Sequence, residues 1–127
     1  MVFLIGRVLY GGFFVISGTR HFLNLKSMSA YASSRGVPAP QIGVLGSGLI
    51  AVLGGLSIML GAVPRVGIIL LVMFLIPVSL MIHNYWADTD PAARQANQIH
   101  FMKNVALLGG ALMLSAIPEP WGWSLLH

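Results

Sequence analysis

Between Gly36 and Ile82 the only charged residue is Arg65, and the apolar runs on either side of it are each long enough to cross a bilayer. A crossing helix needs roughly 20 mostly apolar residues at about 1.5 Å rise each. The same test along the whole chain predicts four helices. The first runs from about Val2 to Gly18 and ends at Thr19, Arg20 and His21. A polar connector, Asn24 to Pro40, carries Lys26, four serines, Arg35 and the turn-forming Gly36-Val37-Pro38-Ala39-Pro40. Prolines are excluded from a helix interior but suit its start, so the second helix begins near Gln41 and continues to Val63, where Pro64 ends it. Arg65 lies in a very short connector. The third helix spans Val66 to Ile82, with Pro77 expected to kink it or loosen one turn. His83-Asn84-Tyr85-Trp86 opens a third connector with Asp88, Asp90, Pro91 and Arg94, and the fourth helix runs from about Phe101 to Ile117, stopped by Pro118-Glu119-Pro120.

The pattern defines an all-α fold, an integral membrane four-helix transmembrane bundle, in which helices satisfy their own backbone groups as lipid requires. Four spans with their connectors use nearly all of the 127 residues, so residues 1–127 form one domain without room for a soluble catalytic unit. At 57% hydrophobic and 8% charged, the chain carries more apolar surface than a soluble core of this size hides. Its N-terminal stretch reads as a span rather than a cleaved leader, since Arg7 sits inside the apolar run and no A-x-A-like site follows. The lack of cysteine excludes disulfides, thiolate metal ligands and thiol exchange on this chain. Redox chemistry here would have to come from a bound cofactor or a partner.

With four spans, both termini lie on one side and the first and third connectors on the other, the connector face. That face holds Arg20, Lys26, Arg35, Arg94 and Lys103 against Arg7 and Arg65 on the terminus side, so the positive-inside rule places the connectors in the cytoplasm and the termini in the periplasm. Tyr85 and Trp86 are expected at one membrane interface, and Trp121 and Trp123 at the other. The net charge of +4 is spread singly among spans and connectors, which fits topology and anionic headgroups rather than nucleic acid.

Small residues recur at helical spacing. Gly43, Ser47, Ala51 and Gly55 form a stripe on the second span, and Ala106 and Gly110 share a face of the fourth; such stripes let helices approach closely, within one bundle or between copies in a homo-oligomer.

Arg7 is the costliest residue for a bilayer. It can snorkel, pair with Glu119 on the same side, or meet an anionic or carbonyl-bearing ligand. Arg7, Gly11, Phe14, Gly18 and His21 fall on one face of the first helix. At the connector face, His21 closes the first span, His83 closes the third and His100 opens the fourth, with Lys103 and Asn104 one turn on. Histidines are tolerated near interfaces, and imidazole also ligates metal, relays protons or hydrogen-bonds a quinone carbonyl. No H-x-x-H or H-E-x-x-H spacing supports metal, so no metal site is assigned. Asp88 and Asp90 lack the glycine and glutamate of a calcium loop and read as a solvated turn. There is no paired nucleophile and base, phosphate loop or carboxylate pair, and no catalytic activity is expected from this chain alone.

These residues resemble the DoxX family of small four-span bacterial membrane proteins. The resemblance rests on Ser17-Gly18 with His21, Gly36-Val37-Pro38, Leu53-Gly54-Gly55 with Gly61, His83, and Lys103-Asn104-Val105-Ala106-Leu107-Leu108-Gly109-Gly110. It implies the bacterial inner (plasma) membrane and a partner-dependent role, since some members accompany quinone-reducing oxidation of sulfur compounds and others oxidative-stress complexes. On that basis the chain is an accessory subunit of a quinone-linked redox complex. It would carry no intrinsic cofactor and would bind a quinone through His21, His83, His100, Lys103 and Asn104, with Arg7 as a second polar contact. The alternative is a small-molecule or lipid-binding, or transport, membrane protein without a redox partner. Many members resemble a pattern with a glutamate before the Leu-Gly-Gly run, where this chain has Ala51, which removes the natural proton or ligand handle.

Overall fold

The computed structural model describes residues 1–122, and all of its regular structure there is helical: α1 (Val2–Leu23), α2 (Leu25–Ser34), α3 (Pro40–Leu60), α4 (Pro64–Met81) and α5 (Pro91–Ser115), with a 3-10 turn at Tyr85–Ala87. The apolar helices α1, α3 and α4 are each long enough to cross a membrane. α5 has 25 residues, but its first turns are polar and its unbroken apolar run starts only after Asn104.

α3 and α4 start alike. Ala39 (φ 47°) and Val63 (φ 41°) take the left-handed conformation immediately before Pro40 and Pro64 at the first helical positions. This conformation costs an L-residue roughly 1–2 kcal/mol, most awkwardly a β-branched one. At the α3–α4 turn it is compensated by Gly61 (φ 65°), which ends α3, and by Ser57, whose hydroxyl donates to the Ala62 carbonyl at 2.5 Å and lies 3.1 Å from that of Val63. Pro77 lies inside α4, which continues through it; the Met73 carbonyl loses its helical donor there.

Close approach between helices is set by glycine. A Cβ on Gly11 would fall against the Gly55 carbonyl oxygen and within 2.6 Å of Met59 Cγ, and one on Gly18 against the Gly48 carbonyl and within 2.6 Å of Val52 Cγ2. Gly54 faces Gly67 across α3 and α4 in the same way. The core lies where α1, α3 and α4 meet, with Phe14, Ala51, Ile58, Leu71, Phe74 and Leu75 buried. Around the bundle the order is α1, α3, α4, α5, and no Cα of α1 comes within 8 Å of one in α5. That fourth side is bridged by side chains. The Tyr10 hydroxyl donates to the Leu107 carbonyl, and its ring lies where a Cβ on Gly110 would be 2.9 Å from Tyr10 Cε2.

Several expectations change. The first connector is not an irregular loop: Asn24 to Arg35 folds into α2, which buries Ser29 and Ala32 against the bundle. α1 continues to Leu23, and α5 begins at Pro91, ten residues before Phe101, because Asp90 caps it by accepting from the Ala93 N–H at 3.0 Å. The small-residue stripe divides. Ala51 and Gly55 pack in the bundle, Gly43 and Ser47 line a cavity, and Ala106 is exposed on the outer surface. Trp121, at the terminus end, is 3% exposed and edge-on to Phe3 at 5.1 Å. Trp123 lies outside the described residues. Trp86 is exposed and packs with Tyr85 and Phe101.

Candidate functional site

The connector end of the bundle encloses a cavity of about 470 Å³. Phe13, Ser17 and His21, one stripe of α1 at four-residue spacing, form one wall, and His100, Lys103 and Asn104 of α5 form the facing one. α3 contributes Val44 and Ser47, α4 contributes Phe74, Pro77 and Val78, and Met28 and Tyr31 of α2 close the connector side. Apolar residues thus surround one polar end.

The hydrogen bonds fix what that polar end offers. His21 is buried against Phe74, with ring centroids 5.8 Å apart, and its Nδ1 lies 2.7 Å from the Ser17 carbonyl. A carbonyl only accepts, so the neutral ring carries its proton on Nδ1 and keeps a lone pair on Nε2. His83 reaches the same state through a longer chain of contacts. Arg35, at the end of α2, pairs with Asp88 and with the Asn84 side chain, and also donates to the Asn84 carbonyl at 3.2 Å. The Asp88 carboxylate accepts from the Asn97 amide nitrogen at 2.8 Å, and that nitrogen is 3.1 Å from the Tyr31 hydroxyl. Asn97 is thereby oriented with its carbonyl oxygen 3.1 Å from His83 Nδ1, which assigns the proton to Nδ1 and the lone pair to Nε2. The His100 ring stacks on His83 with centroids 4.8 Å apart.

The Asn104 amide is 5% exposed, lines the cavity and makes no side-chain hydrogen bond within the described residues. Lys103 places its ammonium 5.1 Å from the centre of the Phe13 ring and pairs with no carboxylate there. The site therefore presents a cation and an amide as donors, and two imidazole nitrogens and the amide oxygen as acceptors. A ligand head carrying carbonyl or hydroxyl oxygens matches that set, and its apolar remainder matches the walls.

Arg7 is not part of this site. It is buried at the terminus side, where it donates to the Gly122 carbonyl at 2.6 Å and lies 5.6 Å from the Phe3 ring centre and 6.0 Å from that of Trp121. Glu119 accepts instead from the Arg65 backbone N–H at 3.2 Å. Sequence reasoning placed His21, His83, His100, Lys103 and Asn104 at one end of the bundle, and the structure gathers all five around the cavity. It missed the strut of Arg35, Asp88, Asn97 and Tyr31. Asp88 is not a solvated turn residue: the Arg35 guanidinium, and after it the Asn97 amide, hold its carboxyl below the usual carboxylate value. Asp90 serves as the cap of α5. Among the described residues no group of three or more His, Cys, Asp or Glu is placed to hold a metal ion.

Helices of membrane-crossing length around a cavity with one polar end define a helical integral membrane protein. The family model for DoxX matches residues 2–84, more than half of the chain, and the protein belongs to the DoxX family. The match ends one residue after His83, so the α5 residues His100, Lys103 and Asn104 lie beyond it. Ala51 is fully buried in the core. Neither the comparison with curated proteins nor that with solved structures finds a match.

Proposed function

We propose that this multi-pass membrane protein binds the head of a membrane-dissolved quinone in the connector-end cavity, as a non-catalytic accessory subunit of a quinone-linked redox complex. The observation that carries this reading is the buried Asn104 amide, without a side-chain hydrogen bond among the described residues, beside two lone-pair imidazole nitrogens and the Lys103 ammonium. A quinone offers two carbonyls and its reduced form two hydroxyls, so a donor–acceptor set serves both forms. Nothing in the set is a redox centre, and electrons would pass to or from a partner oxidoreductase docked on the connector face. In this reading α5 is a fourth crossing, the connector face is cytoplasmic and both termini are periplasmic in a bacterial inner membrane.

The test is quinone content per chain in purified wild type and in His100→Ala. The His100 side chain is exposed and its ring makes no hydrogen bond among the described residues, so its loss should lower bound quinone and leave the helical circular dichroism intact. Equal quinone content rejects the assignment. A second reading, binding of a bilayer lipid without a redox partner, is favoured by the open side between α1 and α5, through which the cavity lies next to lipid.

A further inference from the structure

The four long helices do not close on themselves. Contacts join α1 to α3, α3 to α4 and α4 to α5, while α1 and α5 stay more than 8 Å apart, Cα to Cα, along their whole length. Side-chain contacts span the gap. Tyr10 reaches the Leu107 carbonyl and covers Gly110, which seals the side toward the termini. One helical turn closer to the connectors, the Lys103 ammonium rests over Phe13. Between that contact and the connector end, both edges of the gap are cavity walls, Phe13, Ser17 and His21 on one side and His100, Lys103 and Asn104 on the other.

The opposite, aqueous approach is obstructed. Met28, Tyr31 and Ala32 of α2 line the connector side of the cavity, and α2 is tied down at its end by Arg35 to Asp88 and by Tyr31 to Asn97. A ligand arriving from water must break a half-buried ion pair and a hydrogen-bonded amide. One arriving from lipid must move only a lysine and a phenylalanine side chain, both of which are exposed. Lysine is suited to this, since its flexible stem lets the ammonium swing toward the headgroups without leaving a polar environment.

We propose that the gap between α1 and α5 is a lateral portal through which an amphiphile enters from the bilayer. Its head lodges on Lys103, Asn104 and His100, its tail lies in the gap over Phe13 and Ser17, and the Phe13–Lys103 contact is the gate. The choice of quinone as the amphiphile rests on the function proposed above; the portal does not.

The wild-type protein is reconstituted in phosphatidylethanolamine and phosphatidylglycerol vesicles with a long-chain quinone carrying a diazirine in its tail, and photoadducts are mapped by mass spectrometry. Adducts on Phe13, Ser17 and the His100–Asn104 turn that vanish with excess unlabelled quinone are expected. Protectable adducts confined to Met28, Val37 and Val44 beneath α2 would overturn the portal while keeping quinone as ligand. If excess quinone protects nothing but a diazirine-tailed phosphatidylglycerol labels Ser17, the portal stands and the quinone reading fails. If neither probe labels the gap, the portal is rejected. Phe13→Ala removes the apolar half of the gate and leaves Lys103, Asn104 and His100 in place. Ser17 adducts should then form faster than in wild type; an unchanged rate overturns the gate.

Discussion

Replacing Gly11 by alanine should destabilise the bundle even though alanine is the better helix former. The new Cβ would stand 2.6 Å from Met59 Cγ and 3.0 Å from the Met59 nitrogen, against the Gly55 carbonyl, where ordinary contact begins at 3.4 Å. Two of these three neighbours are backbone atoms, so α1 itself must retreat from α3 by roughly 1 Å, enough to forfeit a quarter to a half of the dispersion at each neighbouring contact. Overpacking of this kind costs about 1–3 kcal/mol, while the gain in helix propensity over glycine returns about 1 kcal/mol. The net loss is about 0–2 kcal/mol, centred near 1 kcal/mol. Gly12, one residue on, has nothing within 4 Å of its Cβ position, so Gly12→Ala should gain about 0.5–1 kcal/mol. Adding Gly18→Ala to Gly11→Ala should cost less than the sum of the two, because one displacement of α1 relieves both clashes. Unfolding in mixed micelles with increasing dodecyl sulfate, followed by circular dichroism, gives the order Gly12→Ala, wild type, Gly11→Ala. If Gly11→Ala resists as much denaturant as Gly12→Ala, the seam is not glycine-limited and the reasoning is wrong.

Three further outcomes are expected. The Asp88 carboxyl is held below its ordinary value of 3.8 by Arg35 and Asn97, so the anchoring of α2 is fully present above that pH and is lost as pH falls through the lower folded value. Hydrogen exchange at residues 31–35, corrected for intrinsic rates, should accelerate only below pH 3.8 in wild type but already at neutral pH in Asp88→Asn; equal protection in the two at pH 7 contradicts the strut. Val63→Gly removes a left-handed β-branched residue (φ 41°) and should gain about 1 kcal/mol in the same micelle assay, with a loss showing that the turn is not strained. A C-terminal alkaline phosphatase fusion should be active, and activity of a cytoplasmic reporter at that position instead would reverse the orientation.

Much of this architecture was legible because lipid is a severe solvent. Uninterrupted apolar runs and prolines located α1, α3 and α4 to within a few residues, and the count of spans alone brought His21, His83 and His100 to one end. The helix α2 was not legible. Its ten residues include a lysine and four serines and end just before a Gly-Val-Pro turn, a composition that reads as loop, and what makes them helical is packing of α2, with Ser29 and Ala32 buried, on α3 and α1. The strut was hidden for the same reason, since Arg35 and Asp88 are 53 residues apart and meet only once α2 forms. Burial of Arg7 and Trp121 together depends on the chain beyond α5 folding back over α1, which no periodicity encodes. Small-residue spacing marked α3 as a packing helix but assigned its stripe by position alone. The structure uses Gly48 and Gly55 against α1 and Gly54 against α4, and leaves Gly43 and Ser47 to the cavity.

The account's central claim, that the connector-end cavity holds a quinone for a partner enzyme, is tested most directly by native mass spectrometry of the protein gently extracted from its own membrane, with bound small molecules released and identified. One quinone retained per chain, together with a stoichiometric oxidoreductase, is the predicted result. A chain or homo-oligomer carrying only phospholipid would contradict it.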